Sequence, residues 1–292
     1  MTSLTEGFTA MGDLLNTIAS PAIMNHAWNQ VRHDRTHWMT GVGMAEVERH
    51  LILHIGRLAE ELLAGRYRPE PGRCFKVAKA NGGFRVICAP GLRDKLAQRA
   101  TLTVLEPLGE KIFHAGSYGY RPLCTLDMAL ARLREWARLG YVWLGDADIV
   151  QCFDSIPHVH ALGALADLCQ EEAVTRLVKG WIEKAPDWTR PRGPGFGLPQ
   201  GMVLSPFLCN LYLHQMDMVF EEAGIPFVRY ADDFIVMGRT QAEALAALDL
   251  GAECLRLLDL RLNLDKTQVF QTDAQHRFLG KRLPNVRPGI RI

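Results

Sequence analysis

The sequence has almost no excess of charge of either sign: 33 Lys and Arg stand against 32 Asp and Glu in 292 residues, a formal net charge of +1. Whatever the protein binds is therefore not gathered by bulk charge. No uninterrupted apolar run approaches the roughly 18 residues that a membrane-spanning helix needs, and the amino terminus lacks the basic-then-apolar pattern of a signal peptide. The expectation is a soluble, cytoplasmic protein without membrane contact. Cysteine is sparse and scattered over Cys74, Cys88, Cys124, Cys152, Cys169, Cys209 and Cys254. The number is odd and no two stand closer than 14 positions, which argues against a zinc ribbon or a disulfide framework and for reduced, mostly buried thiols. Internal repeats and low-complexity tracts are missing too.

What is present is ordinary globular material, 48% apolar and 22% charged, long enough for one large domain or two modest ones. Apolar residues at Val47, Leu51, Ile55, Leu58 and Leu62 predict an amphipathic helix over residues 44–63, closed by Gly65. From Arg66 to Ala100 nine basic residues face only Glu70 and Asp94, a local excess of +7 in a nearly neutral chain. Inside that stretch residues 74–78 and 84–89 read as two strands joined by Asn81-Gly82-Gly83, a strong hairpin signal. A basic hairpin suits polyphosphate or a nucleic-acid backbone.

Helices are expected over residues 96–113 and 125–139, separated by the turn Gly116-Ser-Tyr-Gly-Tyr-Arg-Pro122. A strand over 141–149 follows, with Asp146 and Asp148 on one face because side chains alternate. Residues 161–185 read as mostly helical and 190–199 as a Gly/Pro-rich loop. A further helix over 202–220 is entered through Ser205, a candidate cap, and Pro206 at the first helical position. Phe227-Val-Arg-Tyr-Ala-Asp-Asp-Phe-Ile-Val-Met237 is two apolar runs meeting at Asp232 and Asp233, a hairpin with acids at its turn. A helix over 240–262 and a short strand around Val269 complete an irregular alternation, which predicts α+β rather than a doubly wound parallel sheet.

Acids at one strand end (Asp148) and at a hairpin tip (Asp232, Asp233) are what a two-metal phosphoryl-transfer site needs. Carboxylates are hard oxygen ligands suited to Mg²⁺, and two ions roughly 3.5–4 Å apart stabilise both the attacking and the leaving oxygen. Three carboxylates gathered without cations would repel one another.

With these residues in place, the chain resembles the reverse transcriptases, and within them the prokaryotic lineage of group II introns and their relatives. The resemblance runs from about Leu62 to Gly280, with its motifs in the family's order. It rests on Tyr230-Ala-Asp-Asp233, Leu198-Pro-Gln-Gly-Met-Val-Leu-Ser-Pro206, Asp148-Ile-Val-Gln-Cys-Phe-Asp154, Lys266-Thr267 and Phe278-Leu-Gly280. Upstream, residues 79–85, Asp94-Lys-Leu-Ala-Gln98 and Ser117-Tyr-Gly-Tyr-Arg-Pro122 match its finger region. The resemblance implies a right-hand polymerase with a helical region over residues 1–65, fingers mainly over 66–135 and a palm with an antiparallel sheet mainly over 136–292.

It also implies roles. Asp148 and Asp232 are the expected principal metal ligands, with Asp233 completing the cluster and the Ile149 carbonyl as a backbone ligand; Asp146 is the competing candidate on the first strand. The expected cofactor is a pair of Mg²⁺ ions, with Mn²⁺ as a substitute. Lys79 and Arg85 match residues that grip the triphosphate of the dNTP, a task a guanidinium performs bidentately. Phe153 matches the ring that collides with a ribose 2′-hydroxyl, and Gln200 and Gly201 those beneath the nascent base pair. Lys266 matches the lysine that protonates the leaving pyrophosphate, and Phe278, Leu279 and Gly280 open the primer grip. The implied activity is RNA-directed DNA synthesis from an RNA template and a DNA or RNA primer.

The chain ends twelve residues past Gly280, where a polymerase of this kind continues into a thumb. The expectation is therefore a partner or fused domain that supplies thumb function. Group II-like enzymes associated with CRISPR adaptation are the nearest subfamily in pattern, which names a CRISPR integrase as the expected partner and spacer acquisition from RNA as the role. The alternative is an antiphage-defence reverse transcriptase with untemplated or protein-primed synthesis. Intact acids, Gln200 and Lys266 argue against an inactive nucleic-acid-binding scaffold, and the Gly-Gly-acid-Glu-Phe signature of nucleotide cyclases is missing.

Overall fold

The computed structural model describes residues 13–34, 36–79, 82–272 and 276–283. Residues 1–12 of the expected helical region and Asn81 of the expected hairpin turn lie outside the described residues. Along the chain run helices α1 (Leu14–Ala19), α2 (Pro21–Val31), α3 (Met44–Arg49) and α4 (Leu51–Leu63), then strands β1 (Arg73–Ala78) and β2 (Phe84–Ala89). Helices α5 (Leu92–Ile112) and α6 (Leu126–Arg138) lead to strand β3 (Trp143–Asp148) and to helices α7 (Cys152–Ser155), α8 (His158–Cys169), α9 (Glu172–Glu183) and α10 (Ser205–Glu222). Strands β4 (Phe227–Tyr230) and β5 (Asp233–Gly238), helix α11 (Gln241–Leu257) and strands β6 (Gln268–Gln271), β7 (Arg277–Phe278) and β8 (Lys281–Arg282) follow. Every strand pair is antiparallel, so the fold is α+β as expected. No helix among the described residues is long and apolar enough to cross a membrane.

Several expected helices have different limits: the one over 96–113 runs over Leu92–Ile112 and the one over 240–262 over Gln241–Leu257, and three more differ as follows. The one over 44–63 breaks at His50, whose φ of −130° leaves the helical region. The one over 161–185 breaks between α8 and α9, where Gln170 takes a φ of +49°. The third begins at Ser205 rather than Met202, and the Ser205 hydroxyl donates to the Pro199 carbonyl at 2.7 Å rather than capping the helix.

Two compact units divide the chain, residues 1–111 with 158–205 and residues 112–157 with 206–292. Each is thus made of two separate stretches. The cause is strand pairing: β3 pairs with β5, so α8, α9 and the loop to residue 204 are inserted between paired strands.

In the first unit α5 is the organising helix, with Leu92, Leu96, Ala97, Ala100 and Leu105 fully buried. Its Asp94, also buried, accepts from the Tyr67 hydroxyl and from the Glu70 amide (2.8 Å), while Trp181 of α9 donates to the Tyr67 oxygen at 2.8 Å. One turn further along α5, the Gln98 side-chain oxygen accepts from the Val203 amide at 2.9 Å. β1 and β2 form the expected hairpin, in a register that sets Cys74 opposite Cys88. These two cysteines are joined by a disulfide, their Cα atoms 4.1 Å apart, which corrects the expectation of seven separate thiols. A spacing of 14 looks uninformative on a straight chain, but a turn midway folds it into one cross-strand pair. Of the five cysteines that stay free, all but Cys124 are buried.

The second unit is built on a four-stranded sheet in the order β4-β5-β3-β6. Leu144, Val228, Ile235 and Met237 from that sheet, Leu130, Leu133 and Ala137 of α6, and Phe278 beyond it make one buried cluster. Of the two central strands β5 is the more apolar, with Phe234, Ile235, Val236 and Met237 all buried.

Candidate active site

The register of the two central strands builds the site. Asp148, the last residue of β3, lies directly opposite Asp233, the first residue of β5. Residues opposite each other in an antiparallel pair share a face, and so do residues two apart on one strand. Asp146, Asp148 and Asp233 therefore stand on one side of the sheet. They line an open cleft of about 340 Å³ together with Asp265, Lys266, Thr267 and Gln268. Asp232 sits beside them in the two-residue turn between β4 and β5.

Carboxylates this crowded repel. Burial, with the charges of Asp232, Asp148 and Asp146, pushes the Asp233 carboxyl up to about 7. Burial pushes Asp146 up to about 6 against a hydrogen bond from Gln268, and raises Asp232 as well, with the Asp148 charge adding to it. Among the described residues Lys266 is the cation paired with them: its Nζ lies 2.5 Å from Asp148 Oδ2, and the hydrogen bond to Asp148 holds its ammonium above the usual lysine range. Asn263 Nδ2 also donates to Asp148 Oδ2 (3.2 Å), and its amide donates to the Asp148 carbonyl (2.8 Å). Among the described residues no three His, Cys, Asp or Glu side chains are gathered into a ready ligand set. The donor chemistry nonetheless fits a hard divalent ion, since half-buried carboxylates are held together with a single ammonium between them.

A testable consequence follows from Asp233. Its folded pKa lies above the ordinary carboxylate value, so keeping it ionised costs the folded state. The cost is absent below about pH 4, grows as the pH rises, and is complete above about pH 7. About three pKa units correspond to ~4 kcal/mol, which solvent screening at this part-exposed site reduces to about 1–2 kcal/mol. In metal-free buffer Asp233→Asn is expected to raise the melting temperature at about pH 8 and leave it unchanged at about pH 3, below the unfolded carboxylate value. A lower melting point for the variant at pH 8 would contradict this electrostatic picture.

The turn that carries Asp232 is strained and clamped. Ala231 takes a φ of +63°, a region that two-residue hairpins use but that glycine or asparagine normally fills. Behind it lies Arg229 of β4, fully buried, whose guanidinium makes a two-pronged pair with Asp217 (2.7 and 2.5 Å). The same guanidinium donates to Asn210 Oδ1 (2.8 Å) and to the Ala231 carbonyl (3.0 Å). Asn210 Nδ2 donates in turn to the Gly119 carbonyl at 2.6 Å. A Cβ on Gly119 would stand 2.2 Å from the Ala231 nitrogen, so only glycine lets the 116–122 loop lie against the turn. That loop also pairs with β4, Tyr118 N donating to the Arg229 carbonyl and Arg229 N to the Gly116 carbonyl, both at 2.8 Å.

Arg229, Asp217 and Asn210 were not legible as site residues. The available signal was an arginine inside an otherwise apolar strand, which demands a buried anion, and Asn210 and Asp217, seven apart on one face of α10.

The other expected residues fall in both units. In the second, Ile149 forms an isolated bridge with Leu262, whose two bonds run from Val150 N to the Arg261 carbonyl and from Asn263 N to the Asp148 carbonyl and do not involve the Ile149 carbonyl. Phe153, half-buried on α7, meets the Tyr120 ring edge to face, centroids 6.1 Å apart. Phe278 is a core residue at 2% exposure, whereas Leu279 and Gly280 form the exposed turn between β7 and β8, both at positive φ. In the first unit Lys79 closes the β1–β2 turn by bonding to Gly82 and Gly83, and Arg85 is exposed on β2. The Gln200 carbonyl accepts from Cys88 N at 2.7 Å. Gly201 has a φ of +99°, and a Cβ there would meet the Cys88 carbonyl oxygen at 2.9 Å. The glycine is required by β2 itself.

An antiparallel sheet that presents carboxylates from two adjacent strand ends, backed by helices, is the palm of a nucleotide polymerase. Residues 77–283 match the model of the reverse transcriptase (RNA-dependent DNA polymerase) family, and the chain belongs to that family. The enzyme class expected from the motifs, an RNA-directed DNA polymerase, is the class this family defines. Protein YkfC of Escherichia coli (strain K12) is 29% identical over 286 residues, covering 83% of this chain and 74% of that protein. The group II intron-encoded protein LtrA of Lactococcus lactis subsp. cremoris is 32% identical over 188 residues, covering 62% of this chain and 30% of that protein. Among solved structures, telomerase from Candida albicans in complex with a TWJ fragment of telomeric RNA aligns with a TM-score of 0.55 at 14% identity, over 82% of this chain and 48% of that one. That likeness concerns the fold alone. The chain thus spans about three quarters of YkfC, under a third of LtrA and about half of the telomerase.

Proposed function

We propose that this chain synthesises DNA on an RNA template from dNTPs, with Asp148, Asp232 and Asp233 as the acidic centre. The observation that carries the reading is the register that sets Asp148 opposite Asp233 with Asp232 in the adjoining turn. These three carboxylates and the Ile149 carbonyl would hold two Mg²⁺, or Mn²⁺ in their place. When bound, such ions activate the primer 3′-hydroxyl and neutralise charge on the transferring phosphoryl group.

The chain's own residues do the positioning. Lys79 and Arg85 hold the triphosphate oxygens, and Gln200 and Gly201 lie beneath the nascent base pair. Phe153 closes the space a ribose 2′-hydroxyl would need. Lys266, placed beside the acidic centre by its pair with Asp148, gives a proton to the departing pyrophosphate. Leu279 and Gly280 meet the primer strand at the exposed turn, with Phe278 anchoring them in the core.

Extension of oligo(dT) on poly(rA) with dTTP and Mg²⁺ tests this reading, with incorporation expected from the wild type and lost in Asp232→Ala. Equal incorporation by the two proteins would refute the assignment of the acidic centre. For the biological setting, the motif resemblance supports spacer acquisition from RNA alongside a CRISPR integrase. Retention of such an integrase by the purified chain is the expected result; no retention removes that setting and leaves the polymerase reading intact.

A further inference from the structure

We propose that Tyr120 is a positioning residue that fixes the ring of Phe153 and thereby sets how strongly the site rejects ribonucleotides; this rests on the reading of Phe153 as the sugar-facing ring.

Phe153 stands on α7, a helix of only four residues, too short to hold its shape through its own hydrogen bonds. It is entered through Gln151 at a φ of +45° and held from beneath by Cys152, whose sulfur lies 3.8 Å from that of Cys209 in α10. That contact anchors the backbone and leaves the ring of the next residue to be oriented by what touches it. Tyr120 touches it, with the two rings at 85° to each other.

Tyr120 is a suitable stop because its own backbone cannot drift. It takes a φ of +59° between two clamps. On one side the Gly119 carbonyl is bonded to Asn210 and the Gly119 backbone is pressed against Ala231. On the other the Arg121 guanidinium donates to the His114 and Ser117 carbonyls at 2.8 and 2.6 Å. Tyr120 is nevertheless 52% exposed, so burial is not what requires an aromatic there. Its edge-to-face contact restrains Phe153, and the Arg229–Asn210 network fixes the stop and the Asp232 turn from one buried point.

The test is single-nucleotide incorporation of dUTP against UTP opposite rA, with Mg²⁺, by the wild type, Tyr120→Phe, Tyr120→Leu and Phe153→Ala. Tyr120→Leu is expected to lower the dUTP/UTP ratio of kcat/KM by about three- to tenfold, the scale of one edge-to-face pair at ~1.4 kcal/mol per factor of ten. The change should come through a lower KM for UTP, and Tyr120→Phe, which keeps the ring, should retain the wild-type ratio. Added to Phe153→Ala, Tyr120→Leu should change the ratio no further. Should Tyr120→Leu fail to fold, Tyr120→Met replaces it with the same expectation. An unaltered ratio in Tyr120→Leu beside a relaxed Phe153→Ala overturns the role of Tyr120 alone. An unaltered ratio in Phe153→Ala overturns the steric reading of Phe153 and this inference with it.

Discussion

Arg229→Met is expected to destabilise the protein by about 3–5 kcal/mol, enough to unfold a domain of ordinary stability, because it leaves the Asp217 carboxylate buried without a counter-charge. Both side chains of the pair are fully buried, so neither can turn to water. The informative protein is the double variant Arg229→Met/Asp217→Leu. Exchanging both members of a buried ion pair for apolar groups of similar volume is often close to neutral, so thermal melting should show most of the stability restored. Primer extension should stay low, because the Ala231 carbonyl has lost its donor at 3.0 Å and a left-handed alanine persists only where its surroundings over-determine it. A double variant as active as the wild type would show that the cation does not hold the Asp232 turn.

Asp148→Asn should separate chemistry from stability in the opposite direction. The Asp148–Lys266 pair is open to solvent on the lysine side, which is 54% exposed, and exposed pairs contribute at most about 1 kcal/mol. Loss of that pair is offset by relief of the repulsion Asp148 exerts on Asp232 and Asp233, so the melting temperature of metal-free protein should not fall. Primer extension should fall by about a thousandfold or more, equivalent to ~4 kcal/mol of transition-state stabilisation, the scale of charge neutralisation at a metal centre. Single-turnover kinetics beside a melting curve reads both quantities. A variant within tenfold of the wild-type rate would move the essential carboxylate elsewhere, with Asp146 on the same face of β3 as the first candidate.

The elements that position the acids could be read from short-range pattern. Alternation in residues 141–149 placed Asp146 and Asp148 on one face, and two apolar runs meeting at Asp232-Asp233 gave the hairpin, because side-chain period and turn length act over a few residues. What lay beyond reach was set by partners distant along the chain. Lys266 and Asp148 are 118 positions apart, and nothing local distinguishes a lysine paired with a carboxylate from one in water. Arg229 was hidden by residue type, since arginine in a strand ordinarily faces solvent, and its partners Asp217 and Asn210 lie on a helix that reads as apolar. The Cys74–Cys88 pair was missed for a different reason: the two stand equally far from residue 81, and the hairpin that relates them was recognised without its register being used. The two-unit division was hidden because β3 pairs with β5 across α8 and α9, a connection that composition does not mark.

The most direct test is extension of a DNA primer on a heteropolymeric RNA template with all four dNTPs and Mg²⁺, with the product sequenced. The expected result is DNA complementary to the RNA, made by the wild type and missing with Asp232→Ala. DNA whose sequence ignores the template, or the same product from both proteins, would contradict RNA-directed synthesis at the Asp148, Asp232 and Asp233 centre.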